Sequence, residues 1–518
     1  MTELEQIANE LHRTAKLALD TGEATSIGDA MSIFSTYRAQ FVLGPEVAES
    51  ESLQAAVLTA VNCAARTLLG GVTIVGADVP LRLTLPPSVS LLEAVRAFGA
   101  SPARAAEAGV PTVAFGTPNI EEVDRLAIRV VVRGWSGGVT PVAQEITDEG
   151  AAEITTAGVL AGALAVSEIF QRLRGHSMAC RRATGLNLWR PEQDWLRGED
   201  GPALTRLPSS AWLVGLGNLG QAYLWTLGLL PYGPDALDLV LHDFDVLAIS
   251  NVSTSLLTTP DLVGRHKSRA LARWAGARGF RTVLIERRFA DDFRVGPREP
   301  SIALVGVDNA LARQATEDVG FERVIDAGLG KGPQDFLGID VHTFPGARSA
   351  RMIWQNTATG ETELSQPAYR DLLARGGDRC GIVRLAGRSI GAPFVGAVAA
   401  ALVVGEFLRL AIGVHRHELV SCHLRDLRGR TVIRGAPWPP FNPGTVQPYP
   451  GSVLPEIATT EIPTAPPEPP PAAIGRVSDP ERLAQRLRSD LGRQNAGRSA
   501  MRQRRSPQRP KQHKLDRT

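Results

Sequence analysis

The sequence predicts an α/β protein built from two tandem Rossmann-like domains, related by a pseudo-two-fold axis and followed by a disordered tail, proline-rich and then basic. Three observations carry this. An unbroken apolar run, Ala211-Trp212-Leu213-Val214, leads into Gly215-Leu216-Gly217-Asn218-Leu219-Gly220 and then a helix. A strand buried on both faces of a parallel sheet is apolar throughout, and such a glycine loop turns it into a helix. Segments of the first half recur in the same order in the second. Finally, Pro437–Pro471 is dense in proline, which cannot donate to ladders or continue helices and favours extended chain.

The repeat sets the domain boundaries. Ala157–Phe170 (AGVLAGALAVSEIF) matches Val395–Leu408 (VGAVAAALVVGEFL), each followed by an arginine, Arg172 or Arg409. A helix over Gln54–Leu69 leads to a strand ending at Asp78, as Leu219–Leu230 leads to one ending at Asp243 and Asp245. Residues 1–195 and 205–435 are therefore expected to form the two domains, and 436–518 the tail. The stretch Ala392–Leu408 is short for a membrane span and closes on Glu406 and Arg409, so a buried helix against a sheet is expected.

Charge is uneven. The 518 residues carry a formal net charge of +2, but Arg476–Thr518 holds 13 Lys+Arg against 4 Asp+Glu, which leaves the body at −7. A mildly acidic body argues against a general nucleic-acid binder. The tail reads either as a solvated linker or as a docking segment for an anionic surface. Its Asp479-Pro480 can cap a short helix with Leu483, Leu487 and Leu491 on one face. No apolar signal core opens the chain, and no membrane association is expected. The four cysteines, Cys63, Cys180, Cys380 and Cys422, lack the paired spacing of a disulfide framework or zinc ribbon. A reducing cytoplasm is the expected location.

The glycine loop by itself fits a mononucleotide or a dinucleotide. Gly215 permits the tight turn, Gly217 lets the backbone approach phosphate, and Gly220 allows close helix packing. Downstream lie Asp243-Phe244-Asp245, Asn251, Gly264-Arg265-His266-Lys267 and Val307-Asp308-Asn309. In this ordered set the chain resembles the ThiF/MoeB and ubiquitin-activating enzyme superfamily; an NAD-dependent oxidoreductase, which needs neither Lys267 nor Asp308, stays open as an alternative.

The resemblance implies ThiF-type domains, an inactive adenylation domain fused to a nucleotide-binding one. The activity implied is adenylation of the C-terminus of a ubiquitin-like protein, with ATP and Mg²⁺. By resemblance Asp243 binds ribose, Lys267 the phosphates and Asp308 the metal, while Asp245 and Asn251 shape the pocket. Ser35-Thr36-Tyr37-Arg38-Ala39-Gln40, ahead of Gly44, resembles the family's opening segment. Arg38 would then be a finger donated across the interface of an intramolecular pseudo-dimer, one open to further self-association. An ordinary surface charge is the alternative.

Cys380 occupies the interval of the family's transfer cysteine, with Arg379 to lower its pKa, and a thioester there would serve a conjugating enzyme. A structural role is equally open, since the domain is too short for a large cysteine module and Gly381 replaces the family threonine. Cys422 lies among His415, His417 and His423, a metal-ligand pattern. Its alternation with Val420 and Leu424 favours an inert core thiol. One departure from the family stands out: Thr254 replaces an arginine. It supports a further alternative, a catalytically lapsed scaffold that binds a peptide or protein. Compactness and an Arg/Ala-rich composition point to a bacterial source.

Overall fold

The computed structural model describes residues 11–448 except 121–122, 147–152, 356–363, 377, 413–415 and 437–445. The expectations for His415, for the helix beyond Asp479 and for the basic tail fall outside these residues. Two mixed sheets organise the rest. In the first lobe β1 (Arg38–Leu43), β2 (Gly71–Val75), β3 (Ser101–Ala103), β4 (Thr112–Phe115), β5 (Ile128–Arg133), β6 (Ser136–Pro141) and β7 (Thr184–Asn187) lie in the order 3-2-1-4-5-6-7. A short strand, β8 (Arg206–Pro208), pairs antiparallel with Val446–Pro448.

The second sheet repeats the first. Its strands are β9 (Ser210–Val214), β10 (Asp238–His242), β11 (Arg281–Ile285), β12 (Ile302–Val305), β13 (Arg323–Leu329), β14 (Gly338–Phe344), β15 (His417–His423) and β16 (Thr431–Arg434). They run 11-10-9-12-13-14-15-16, so that β9 is the counterpart of β1, β12 of β4, and β15 of β7. In both sheets the first five strands in the order are parallel and the next two antiparallel. The chain is thus a tandem pair of Rossmann-like lobes.

Among the helices used below are α1 (Lys16–Asp20), α2 (Glu51–Thr67), α3 (Thr155–Leu173), α4 (Asn218–Gly228), α5 (Lys267–Ala277), α6 (Ala310–Ala315), α7 (Pro367–Ala374), α8 (Arg379–Gly387) and α9 (Pro393–Ile412). The repeated apolar segments fall in α3 and α9, which hold equivalent places before the last antiparallel strands. Both are buried along nearly their whole length. α9 is long and apolar enough to cross a membrane, yet 89% of its apolar window is buried inside the protein. Small residues make this layer possible. A Cβ at Gly158 or Gly162 would collide with the carbonyl oxygens of Ser52 and Ala56, so α2 and α3 touch backbone to backbone.

The lobes join through this layer. Phe170 of α3 meets Phe394 of α9 at 5.5 Å. The Trp225 indole donates to Thr59 Oγ1 at 3.0 Å, and Gln171 Nε2 donates to the Leu424 carbonyl at 3.1 Å. Glu168 and Glu406, the matched acids of the repeat, do matched work. Each is buried and accepts the backbone N–H that returns the chain toward the last strands, from Cys180 at 2.7 Å and from His417 at 3.2 Å.

Overpacking a close-packed contact costs about 1–3 kcal/mol or more. We expect Gly158→Val to lower unfolding free energy by at least about 2 kcal/mol in chemical denaturation. Gly276→Ala, whose added Cβ meets nothing in α5, should instead stabilise by about 0.5–1 kcal/mol. Equal effects would contradict the packing described.

Candidate nucleotide-binding site

The crevice opens where the strand order reverses, between β9 and β12. In a doubly wound sheet this is the place where connections diverge and a ligand fits. Glycines keep it clear. Gly215 has φ +85°, and a Cβ there would lie 2.8 Å from Val307 Cγ1. A Cβ at Gly220 would collide with the Gly215 carbonyl, and one at Gly306 would lie 2.7 Å from Leu219 Cβ. At Gly217 an added Cβ meets nothing, so the loop's outer face is open. Gly217 is also the N-cap of α4 and supplies no side chain to its first turn. The helix's free N–H groups and dipole are left for an anion.

Two acids and a lysine converge beneath the loop. Asp243, buried, accepts the Leu216 N–H at 2.7 Å and the Asp245 N–H at 2.8 Å. Lys267 opens α5 with its Nζ 2.9 Å from Asp245 and 3.6 Å from Asp243. Its backbone N–H donates to the Asp245 carbonyl at 3.0 Å. Asp308 stands exposed past the end of β12, and Asn309 caps α6 by accepting from Leu311 N at 2.8 Å. An exposed carboxylate beside an open glycine face and an uncapped helix N-terminus suits a phosphate-bound Mg²⁺. Asn251 turns inward, accepting the Ala248 N–H at 2.8 Å to close the turn Ile249–Ser253.

Behind the crevice, Arg313 fastens the Asp308 loop to β13. Its Nε donates to the Val307 carbonyl and its Nη2 to the Ala327 carbonyl, both at 2.9 Å. Gly328 leaves room for this guanidinium, since a Cβ there would lie 2.8 Å from Arg313 Nη1. The neighbouring Asp326 is buried, 3.5 Å from Arg313. Burial pushes its carboxyl up to about 6, with Arg313 pulling the other way.

The first lobe's equivalent crevice, a cavity of about 490 Å³, is lined by carboxylates, among them Glu46, Glu49 and Glu153. Gly44 and Gly116 stand where Gly215 and Gly306 stand, but the Glu46 carboxylate lies between them and accepts the Thr117 N–H at 3.0 Å. A Cβ at Gly44 would lie 2.6 Å from Glu46 Oε2. Gly76 occupies the position of Asp243 after β2. A carboxylate fixed at this position puts negative charge where an anion would otherwise sit.

This equivalence corrects the reading of Arg38. Ser35–Gly44 runs through β1 itself, with Gly44 the counterpart of Gly215. Arg38 lies at the far, N-terminal end of that strand, in an exposed ion pair with Glu107 of its own lobe at 2.7 Å. Two first-lobe arginines reach the segment that follows Asp245: Arg66 and Arg13. Arg66 is spent on the carbonyls of Val252, Leu256 and Thr258 at 2.5–3.1 Å. Arg13 donates its N–H to Ser253 Oγ and its Nη2 to Ser250 Oγ, each at 3.2 Å. Burial and the nearby Arg388 push its pKa down to about 10. Thr254 is buried alongside, its methyl 2.6 Å from where a Gly391 Cβ would stand. No spacing or motif in the sequence marked Arg13.

Among the four free cysteines only Cys380 is exposed. It lies in the first turn of α8, where Asp378 accepts from its N–H at 3.3 Å and from Gly381 N at 2.8 Å. Burial pushes the thiols of Cys180 and Cys422 up to about 12. Cys422 is a core thiol: His417 turns to Glu406, and His423 lies 3.3 Å from the Gln334 carbonyl oxygen. Among the described residues no three His, Cys, Asp or Glu side chains are grouped to hold a metal ion.

Asp326 gives a signed pH prediction. Its carboxyl titrates near 4 in the unfolded chain and near 6 when folded, so the native state binds the extra proton. Stability should fall as pH rises from about 4 to 6, by on the order of 2–3 kcal/mol, and level off above. Asp326→Asn should lose that component in thermal unfolding followed across this window. Parallel curves for the two proteins would contradict the assignment.

Residues 38–188 match the BilD N-terminal domain and residues 207–414 the BilD C-terminal domain. The chain is 41% identical over 419 residues to the bacterial E1-like protein BilD of Collimonas sp. (strain OK412), covering 79% of this chain and 90% of that protein. Two solved structures are also similar. PaaA is 17% identical with a TM-score of 0.30; the match covers 44% of this chain and 65% of PaaA, just under two thirds of its length. The E. coli tRNA N6-threonylcarbamoyladenosine dehydratase TcdA is 16% identical with a TM-score of 0.25, covering 39% and 86%. By its matched domains and its identity to that relative, the chain belongs to the BilD family of bacterial E1-like proteins.

Proposed function

We propose that the second lobe uses ATP and Mg²⁺ to adenylate the C-terminus of a ubiquitin-like protein, and that Cys380 then receives the acyl group. The observation that carries this reading is the convergence of Lys267 and Asp243 at an open glycine loop, where the first lobe holds the Glu46 carboxylate instead. A nicotinamide site has no use for Lys267 or Asp308, which weighs against the oxidoreductase alternative.

The residues divide the work by charge. The loop Gly215–Gly220 and the α4 N-terminus receive the phosphates through backbone N–H groups. Asp243, already holding the Leu216 N–H, fixes the loop and faces the ribose. Lys267, parked on two carboxylates, supplies positive charge next to the phosphates. Asp308 would hold Mg²⁺, which neutralises phosphate charge and aids departure of pyrophosphate. Arg13 takes the place that sequence reading gave to Arg38, bringing a cation beside Thr254 where the family has arginine. A carboxylate oxygen of the modifier attacks the α-phosphorus and the bond to pyrophosphate breaks. The Cys380 thiolate then attacks the adenylate's carbonyl carbon, AMP leaves, and a thioester forms. A conjugating enzyme would accept the acyl group next.

A second reading, a catalytically lapsed protein-binding scaffold, draws on one observation: Thr254 is buried against Gly391, and no arginine can occupy its place without rearrangement.

Pyrophosphate exchange into ATP in the presence of the modifier separates the two. Losing one preorganised donor of this kind costs roughly 10²–10³-fold in rate. We expect Asp308→Ala to abolish exchange and Arg13→Ala to lower it about 10²-fold, with Arg38→Ala within about twofold of the parent protein. Exchange that survives Asp308→Ala would sink the site assignment, and a total lack of exchange in the parent protein would favour the scaffold. A thiol-sensitive adduct should form in the parent protein and vanish in Cys380→Ala; its persistence would remove Cys380 from the pathway.

A further inference from the structure

Lys16 is fully buried, although it lies on a five-residue helix near the start of the described chain. A buried ammonium is expensive unless every proton is met. Here Nζ donates to Asp20 Oδ1 at 2.6 Å and to the Ala386 carbonyl of α8 at 3.0 Å. Asp20 in turn accepts the Tyr369 hydroxyl of α7, and Lys16 Nζ lies 5.9 Å from that ring's centre. Upstream, Thr14 Oγ1 donates to the Gly391 carbonyl at 2.9 Å, ahead of α9. One residue earlier, Arg13 is bonded to Ser250 and Ser253. In eight residues this segment therefore touches the turn that follows Asp245, the start of α9, and both helices of the α7–α8 arm. That arm carries Cys380.

We propose that Arg13–Asp20 is a strap that couples the nucleotide crevice to the Cys380 arm, with Lys16, Asp20 and Tyr369 as positioning residues. The role of the arm in transfer rests on the adenylation reading above; the coupling does not. The two ends differ in chemistry. The Arg13 guanidinium meets a hydroxyl of the turn after Asp245 and faces another arginine, so an arriving phosphate gives it a stronger partner. The Lys16 end is closed by an ion pair and a hydroxyl inside the protein, which holds it to the arm. A pull on Arg13 is transmitted over three residues to the group that fixes α8. The strap thus separates the two half-reactions: its Lys16 end serves transfer to the thiol and leaves adenylation to the crevice.

Hydrogen exchange of the full-length protein, read by mass spectrometry with and without ATP and Mg²⁺, tests this directly. In Lys16→Met the peptides over Pro367–Gly387 should exchange at least tenfold faster, while those over α2 and α3 keep their protection. Tyr369→Phe, a milder change, should move the same peptides in the same direction. Adding ATP and Mg²⁺ should alter protection of the arm in the parent protein and leave it unaltered in Arg13→Ala. With the modifier present, Lys16→Met should keep pyrophosphate exchange within about twofold and lose at least tenfold in adduct formation on Cys380. Unchanged arm protection in both Lys16→Met and Tyr369→Phe would overturn the proposal. So would an equal loss of both half-reactions in Lys16→Met, which is what a general folding defect produces. If the parent protein shows no pyrophosphate exchange, the adenylation reading falls, and the strap is judged by hydrogen exchange alone.

Discussion

Everything else in this protein rests on the backbone contact between α2 and α3 and on the apolar seam it makes with α4 and α9. Glycine at 158 and 162 brings α3 against the carbonyls of α2, and the same layer carries Phe170 onto Phe394 and Trp225 onto Thr59. Each helix of this layer is covered by its own sheet on one side and by the other lobe on the other, so its apolarity runs all round. Because the layer has no slack, the two lobes sit as one compact unit, and loops at the end of one lobe lie within hydrogen-bond reach of the other. The crevice of the second lobe inherits its walls from that arrangement.

Duplication then allowed the copies to diverge at a few atoms. The sheets keep the same strand order and the same glycines at the ends of β1, β4, β9 and β12. What differs is the occupant of the space between them: Glu46 in one, an open face above Gly217 in the other. A single carboxylate fixed by the Thr117 N–H places a permanent negative charge where the second lobe has none. The first lobe also braces the second, supplying Asn62 and Arg66 to hold the loop 252–258.

Much of this was legible in the sequence, and the reason is local. The glycine loop, the acids after β10 and the apolar repeats in α3 and α9 are each read within one or two elements, where periodicity and spacing carry the information. Lys267, Asp243 and Asp245 were singled out through the family resemblance their order carries; that they meet within 3.6 Å is visible only in the structure. Arg38 failed for a physical reason. Its segment has alternating apolar residues and becomes the strand β1, so an arginine placed by a short motif ended on the wrong edge of the sheet. Arg13 and Lys16 were beyond reach because their partners lie hundreds of residues away, 237 for Ser250 and 370 for Ala386. Asp326 belongs to no motif, and only the sheet shows it sealed beside Arg313.

Under the proposed function one lobe receives a nucleotide and the other, which holds Glu46 in the equivalent place, does not. The most direct measurement is the stoichiometry of ATP·Mg²⁺ binding to the full chain by isothermal titration calorimetry. One nucleotide per chain is predicted, lost when Asp243 is replaced by alanine and kept when Glu46 is. Two nucleotides per chain, or one that survives loss of Asp243, would contradict it.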